Sequence, residues 1–211
     1  MNLRIFDFRK EEDIRNILVT PHIRSRFLRL KAGSEMNDFH SHDLGHEIFL
    51  ILQGRCRFEI DGEQAVLGTG QMCIALANQP HRVNAVGEED VIMYLSVTPH
   101  IVPTHTGRTP EGERQPHSFW PPKQYDAVEV TKGSNEELTN RMSELAKSAS
   151  HSLLKCAEKT ENLKQILATV AKGNVCDTRE KVWKDLIATF QDIYLLGEVW
   201  NDLAPRLDGE D

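Results

Sequence analysis

The feature that most constrains the fold is a series of short stretches in which apolar and polar residues alternate, separated by turns rich in glycine. In residues 55–60 apolar side chains occupy every second position, and Asp61-Gly62 follows as a hairpin turn. Residues 91–98 repeat the alternation. A period of two places the apolar side chains on one face of a strand, and closely spaced turns favour antiparallel neighbours. Residues 1–98 are therefore predicted to form an antiparallel barrel or sandwich.

The apolar period changes from two to about 3.6 near residue 134, where a second architecture begins. Residues 134–137 match a helix capping box, and Gly173 is a plausible C-cap of the helical segment that follows. A last helix is expected to begin near Asp177 or Thr178. Residues 132–211 are thus predicted to form a C-terminal helical hairpin or small bundle.

Residues 99–131 lie between these two regions and contain six prolines and several glycines. Proline lacks a backbone donor and interrupts regular structure, so this segment is predicted to be a linker or a lid over the barrel. Its histidines, His100, His105 and His117, are expected to be polar loop residues. A lid role near a metal is the alternative.

The strongest chemical signal is a pair of histidines one residue apart, His40 and His42, followed by Glu47. Residues i and i+2 of a strand point to the same face, so the two imidazoles would aim at one point. Glu47 opens the next apolar run and can face back from a neighbouring strand. The best candidate for a fourth ligand is His81. Three imidazoles and a carboxylate suit a divalent transition metal and leave one or two positions open.

Two further sets of residues leave alternatives open. His46 is expected on the strand face opposite Glu47, but it could replace one of the four ligands. Cys56 and Cys73 are expected to be small buried apolar residues rather than catalytic thiols. The four cysteines include no Cys-x-x-Cys pair, which is typical of free thiols in a reducing cytosol.

The same residues resemble the two sequence motifs of the cupins. The first motif is matched by Gly33, the His40–His42 pair, Glu47 and Gly54, with one extra residue after Gly33. Residues 68–84 are similar to the second motif, whose asparagine usually falls one position after Asn84. The resemblance covers roughly residues 20–98. It implies a small antiparallel jelly-roll barrel with a metal at one mouth, held by His40, His42, Glu47 and His81.

Strand alternation also predicts an apolar pocket, which favours a hydrophobic or aromatic substrate. The side chains that it could place inside the barrel are Phe49, Ile51, Phe58, Met72, Val83 and Met93. Four polar side chains are expected on the surface, with the cavity as the alternative: Gln53, Arg24, Arg26 and Tyr94.

The predicted function is a metal-dependent oxygenase that acts on a small organic substrate, with Glu47 as a ligand that could also act as a base. The expected cofactor is one divalent metal per chain, with Fe(II) favoured over Mn(II), Zn(II), Ni(II), Co(II) or Cu(II). A metal-dependent isomerase or lyase is an alternative, and so is a non-enzymatic, sensor-type cupin that binds a small molecule.

The net charge of −7 argues against nucleic acid or an anionic membrane as a partner. Residues 131–211 carry 11 Lys plus Arg and 14 Asp plus Glu, a net −3, whereas DNA-reading helices are normally basic. No apolar run could span a bilayer and no signal peptide is evident, so a cytoplasmic location is expected. A homodimer is predicted from an aromatic stripe on the last helix: Trp183, Phe190, Tyr194 and Trp200.

Overall fold

A computed structural model describes residues 3–36, 38–120, 125, 133–169 and 175–208. The described residues fall into two compact units, one containing the strands and the other containing two long helices. No helix in these ranges is long and apolar enough to cross a membrane.

The strand unit consists of two antiparallel sheets that face each other. The strands are β1 (Asn16–Thr20), β2 (Ile23–Leu30), β3 (Phe39–Ser41), β4 (His46–Gln53), β5 (Arg55–Ile60), β6 (Glu63–Gly68), β7 (Met72–Ala75), β8 (His81–Val86), β9 (Val91–Thr98), β10 (His105–Arg108) and β11 (Arg114–Ser118). One sheet has the order β1-β2-β9-β4-β7, and the other has the order β11-β10-β3-β8-β5-β6. The predicted antiparallel jelly-roll architecture is confirmed.

The core lies between the two sheets and follows from the alternation in the sequence. Five of the six side chains expected inside are buried there: Phe49, Ile51, Phe58, Val83 and Met93. The expectation was wrong for Met72, whose side chain is 62% exposed. Met72 pairs with Leu50, and Cys73 pairs with the buried Phe49, so the odd-numbered residues of β7 face the core.

The strand unit extends past residue 98, where the sequence-based boundary was placed. β10 and β11 come from the segment that was expected to be a linker or lid, and β10 pairs with β3. Pro116 does not prevent strand formation, because β11 is an edge strand whose outer side needs no backbone donor. Beyond Trp120, this segment lies outside the described residues apart from Tyr125.

The second unit is a pair of helices, α1 (Asn135–Thr169) and α2 (Val175–Leu203). The capping box is present, because the Ser134 hydroxyl accepts from the Glu137 amide and the Glu137 carboxylate accepts from the Ser134 amide. Leu138 packs with Val199 and Leu203, so the start of α1 lies beside the end of α2. The predicted helical pair is confirmed, whereas the predicted C-cap at Gly173 lies outside the described residues.

Candidate metal site

The four predicted ligands come from three strands that meet inside the barrel. His40 lies on β3 and is paired with His81, the first residue of β8. His42 directly follows β3. Glu47 is the second residue of β4, in the opposite sheet. The pairing of β3 with β8 and the packing of the two sheets therefore bring together residues that are up to 41 positions apart in the sequence.

The ligand atoms of these four residues all lie within 4.8 Å of one another. Glu47 Oε2 is 2.8 Å from His42 Nε2, 2.9 Å from His81 Nε2 and 3.9 Å from His40 Nε2. Metal–ligand bonds of about 2.0–2.2 Å place the atoms around one ion at similar separations. The cluster can therefore hold a metal ion.

Backbone carbonyls orient two of the imidazoles toward the cluster centre. His42 Nδ1 is hydrogen-bonded to the Thr104 carbonyl, and His81 Nδ1 is 2.9 Å from the Gln79 carbonyl. A carbonyl can only accept, so each Nδ1 carries the proton, and in a neutral ring Nε2 presents its lone pair. These lone pairs face the Glu47 carboxylate, another acceptor. A cation bound among the four groups would remove this conflict.

The protonation states of the cluster also suit a cation. Burial alone raises the pKa of Glu47, but the three histidines around the carboxylate outweigh burial and hold this pKa well below its usual range. Burial lowers the pKa of His40 despite the nearby Glu47 carboxylate. Ionised carboxylate and neutral imidazole are the forms that bind metals. Glu47 is 2% exposed, whereas the His40 side chain is 16% exposed and marks the more open side.

His46 is not part of the cluster. Its side chain is exposed, and its Nδ1 accepts a hydrogen bond of 2.9 Å from the Ala77 amide. The alternative in which His46 replaces a ligand is therefore wrong for this conformation. Asn84 does not ligate in the cluster either, and its side-chain oxygen accepts from the Met36 amide at 2.8 Å.

The loop between His42 and Glu47 is held by two contacts on opposite sides. Gly45 lies so close to β9 that an added Cβ would be 2.8 Å from Val97 Cγ1. Asp43 binds the strand pair β10–β11: its carboxylate accepts from Thr106 at 2.8 Å, from His117 at 3.0 Å and from Arg114. Burial alone would raise the pKa of Asp43, but these hydrogen bonds outweigh burial and hold the pKa below its usual value.

His105 stands beside the cluster, although it was expected to be a polar loop residue. Thr106 pairs with Ser41, so His105 is the next residue toward His42 on the neighbouring strand. Its ring centroid is 4.8 Å from that of His40 and 4.8 Å from that of His42. On the far side it stacks on Trp120, with centroids 4.5 Å apart. Burial, together with the neighbouring histidines, lowers the pKa of His105 well below its usual value.

A second buried polar layer contains Arg24, His100 and Tyr125. Arg24 is 3% exposed, so its expected surface position was wrong. Its Cζ lies 5.7 Å from the Tyr125 ring centroid, and the His100 ring packs edge-on against that ring at 5.1 Å. Burial, with the charge of Arg24 as a further cause, lowers the pKa of His100 to about 3. His100 and His105 were both expected to be polar loop residues, with a role near a metal as the alternative. His105 lies beside the cluster because β10 joins the sheet, which nothing in the nearby sequence indicates.

The two cysteines of the barrel have no catalytic character. Cys56 is buried and Cys73 partly buried, and both are free thiols. Burial raises the pKa of Cys56 to about 11 and that of Cys73 to about 12. Both thiols are therefore protonated near neutral pH, as expected for small apolar packing residues.

Comparison with known protein families gives a match to part of the strand unit. The family model of the cupin domain matches residues 26–98. No curated protein matches the chain.

Solved structures similar to the chain include a protein with a double-stranded beta-helix domain from Klebsiella pneumoniae, at 24% identity, covering 46% of this chain and 91% of that one, with a TM-score of 0.41. A Thermus thermophilus protein is 18% identical, with coverages of 46% and 98% and a TM-score of 0.41. Salicylate 1,2-dioxygenase from Pseudoaminobacter salicylatoxidans is 24% identical, with coverages of 37% and 20% and a TM-score of 0.34. None of these similarities bears on activity.

Proposed function

We propose that the protein is a divalent-metal-dependent oxygenase of a small organic substrate, built on a strand unit that matches the cupin domain model over residues 26–98. The observation that supports the proposal is the buried cluster of His40, His42, His81 and Glu47, whose ligand atoms converge within 4.8 Å. Three nitrogens and one oxygen suit first-row transition metals, with Fe(II) favoured for oxygen chemistry.

A bound divalent metal would supply a Lewis acid with open positions and, if redox-active, electrons for dioxygen. The chain's own residues prepare this site. The Thr104 and Gln79 carbonyls fix the His42 and His81 rings, and Glu47 contributes negative charge that partly neutralises the cation.

The surroundings of the cluster would keep bulk water out. The Phe49 ring lies 5.9 Å from the His81 ring and 5.0 Å from the Phe58 ring, so one wall of the site is aromatic. His40 is the most exposed of the four residues, and His105 and Trp120 stack beside it. A substrate would therefore approach on the side of His40, where these two rings can contact it.

The first test is the metal content of the full chain purified without a chelator or a histidine tag, beside His42→Ala. We expect about one iron per chain, lost in the variant, because His42 is one of the three imidazoles that cluster with Glu47 among the described residues. Zinc or manganese would shift weight toward an isomerase or lyase. No metal in either protein would contradict the proposal.

The second test is oxygen consumption by the Fe(II)-loaded protein with catechol, diketone and thiol substrates. Oxygen uptake that depends on both the substrate and His42 would support an oxygenase. Conversion of a substrate without oxygen uptake would favour the isomerase or lyase. Tight retention of a small molecule without conversion would favour the non-enzymatic sensor-type module.

A further inference from the structure

Arg24 points into the barrel, which is unusual for a charged side chain. β2 alternates, and Leu28 and Leu30 pack against the core between the sheets. Residues separated by two positions share a face of a strand, so Arg24 lies on the same inner face. Its 3% exposure agrees with this placement.

Among the described residues, no carboxylate balances the charge of Arg24. No carboxylate forms an ion pair with it in the part of the chain that the structure describes, and its Nε atom has no hydrogen-bond partner there. The Tyr125 ring attracts the guanidinium through its π-face but carries no negative charge to balance it. A buried charge without a partner is strongly unfavourable, so a protein that retains one normally binds an anion there.

The position of Arg24 relates it to the metal site. Arg24 pairs with Val97 on β9, and Val97 pairs with Glu47 on β4. Directly paired residues share a face, so these three side chains form one row across the inside of the sheet. Two strand spacings of about 4.8 Å put the Arg24 and Glu47 backbones about 10 Å apart.

We propose that Arg24 binds the carboxylate of a small organic acid whose other end reaches the cluster of His40, His42, His81 and Glu47. The planar guanidinium matches a carboxylate with two parallel hydrogen bonds. Between the two ends lies the buried side chain of Val97, so the middle of the molecule is expected to be apolar or aromatic. This assignment names the substrate class of the proposed function and rests on that function.

The test compares benzoate with benzamide, which have nearly the same shape but differ in charge. Binding of each to the Co(II)-loaded full chain is measured by isothermal titration calorimetry. We expect benzoate to bind at least 10-fold more tightly than benzamide. An unaltered chain that binds neither probe, or binds both equally, would overturn the assignment.

Two substitutions and a matched control locate the effect. In Arg24→Met the preference for benzoate should disappear, and in Arg24→Lys it should fall in part, because lysine keeps the charge but not the paired hydrogen bonds. Arg29→Met is the control, because Arg29 is on the same strand but pairs with Glu11 and Asp90. A preference that survives in Arg24→Met would overturn the assignment.

Folding and metal uptake are measured on the same samples. Arg24→Met removes an unbalanced buried charge, so its melting temperature without ligand should be equal to or higher than that of the unaltered chain. A lower melting temperature would show that Arg24 has a structural partner and would contradict the assignment. Benzoate preference without any metal uptake would refute the metal-dependent function but leave Arg24 as a carboxylate site. Metal uptake without benzoate preference would refute Arg24 as a carboxylate site but leave the metal-dependent function intact.

Discussion

At the scale of single residues, Glu47 is the group on which the metal site depends most. It is the carboxylate that the three imidazoles surround, and it has almost no access to solvent. Glu47→Gln keeps the size of the side chain but removes its charge and replaces one carboxylate oxygen by an NH2 group that cannot bind a metal. We expect metal affinity to fall by about 100-fold or more, measured by competition with a chelator.

Glu59→Gln is the matched control for this prediction, because Glu59 pairs with Arg82 at 2.8 Å and is not among the four clustered residues. It should leave metal affinity unchanged. Equal affinities of Glu47→Gln and the unaltered chain would remove Glu47 from the ligand set.

The four clustered residues were the preferred prediction from the sequence, whereas the inner positions of Arg24 and His105 were only alternatives. His40, His42 and Glu47 lie within eight positions, and their local spacing alone indicates a shared site. His105 reaches the site only because β10 pairs with β3, a contact between residues more than 60 positions apart. Arg24 shares a face of β2 with Arg26 as well as with Leu28 and Leu30, and charged side chains are almost always exposed, so an outward position was the natural expectation.

At the scale of secondary-structure elements, Asp43 fastens the strand pair β10–β11 beside the site through Thr106, His117 and Arg114. Asp43→Ala removes all of these acceptors at once. We expect a loss of about 1–3 kcal/mol in the free energy of local opening, seen as faster amide hydrogen exchange in β10 and β11.

Asp90→Ala is the control for this change, because Asp90 accepts from the Ala32 amide and the Lys31 ammonium, away from β10. Its effect on hydrogen exchange should be confined to the one end of the β2–β9 pair where Leu30 pairs with Val91. Unchanged exchange in β10 and β11 of Asp43→Ala would show that other contacts hold this strand pair.

The element-scale predictions succeeded where the periodicity was strong and failed where proline hid a strand. Residues 55–60 and 91–98 alternate cleanly, and both are strands with the expected inner face. Residues 114–118 contain Pro116 and are exposed throughout, so they carry no apolar alternation. Their strand conformation comes from pairing with β10, which a local pattern cannot report.

At the scale of the whole molecule, His100 links stability to pH. Its pKa is about 3 in the folded chain against an ordinary value of 6.5, with Arg24, His42 and Tyr125 as its neighbours. Between these values the unfolded chain binds the proton and the folded chain does not, so stability falls as the pH falls below about 6.5. For this group the loss between pH 7 and pH 5 is about 2 kcal/mol.

Urea unfolding of the unaltered chain and of His100→Gln, both with a chelator present, measures this contribution. Between pH 7 and pH 5 the free energy of unfolding of the variant should fall by about 2 kcal/mol less than that of the unaltered chain. The lowered pKa values of His40 and His105 contribute equally in both proteins. Parallel pH dependences of the two proteins would show that His100 is not kept neutral by burial.

The helical unit leads to the last prediction, a homodimer. Trp183, Ile187 and Phe190 are exposed on α2 at spacings of four and three residues, which places them on one side of the helix. Phe190 is 49% exposed and Trp183 is 50% exposed. Such an exposed apolar stripe is typical of an interaction surface. A second copy of the chain can cover it, because identical apolar faces are complementary about a twofold axis.

Sedimentation at micromolar concentration should therefore give twice the chain mass of 24.0 kDa, and Phe190→Glu should give the monomer. Ile74→Glu provides the control, because Ile74 is an exposed apolar residue of the strand unit. If Ile74→Glu dissociates the dimer and Phe190→Glu does not, the interface is on the barrel. A monomeric unaltered chain would refute the dimer altogether.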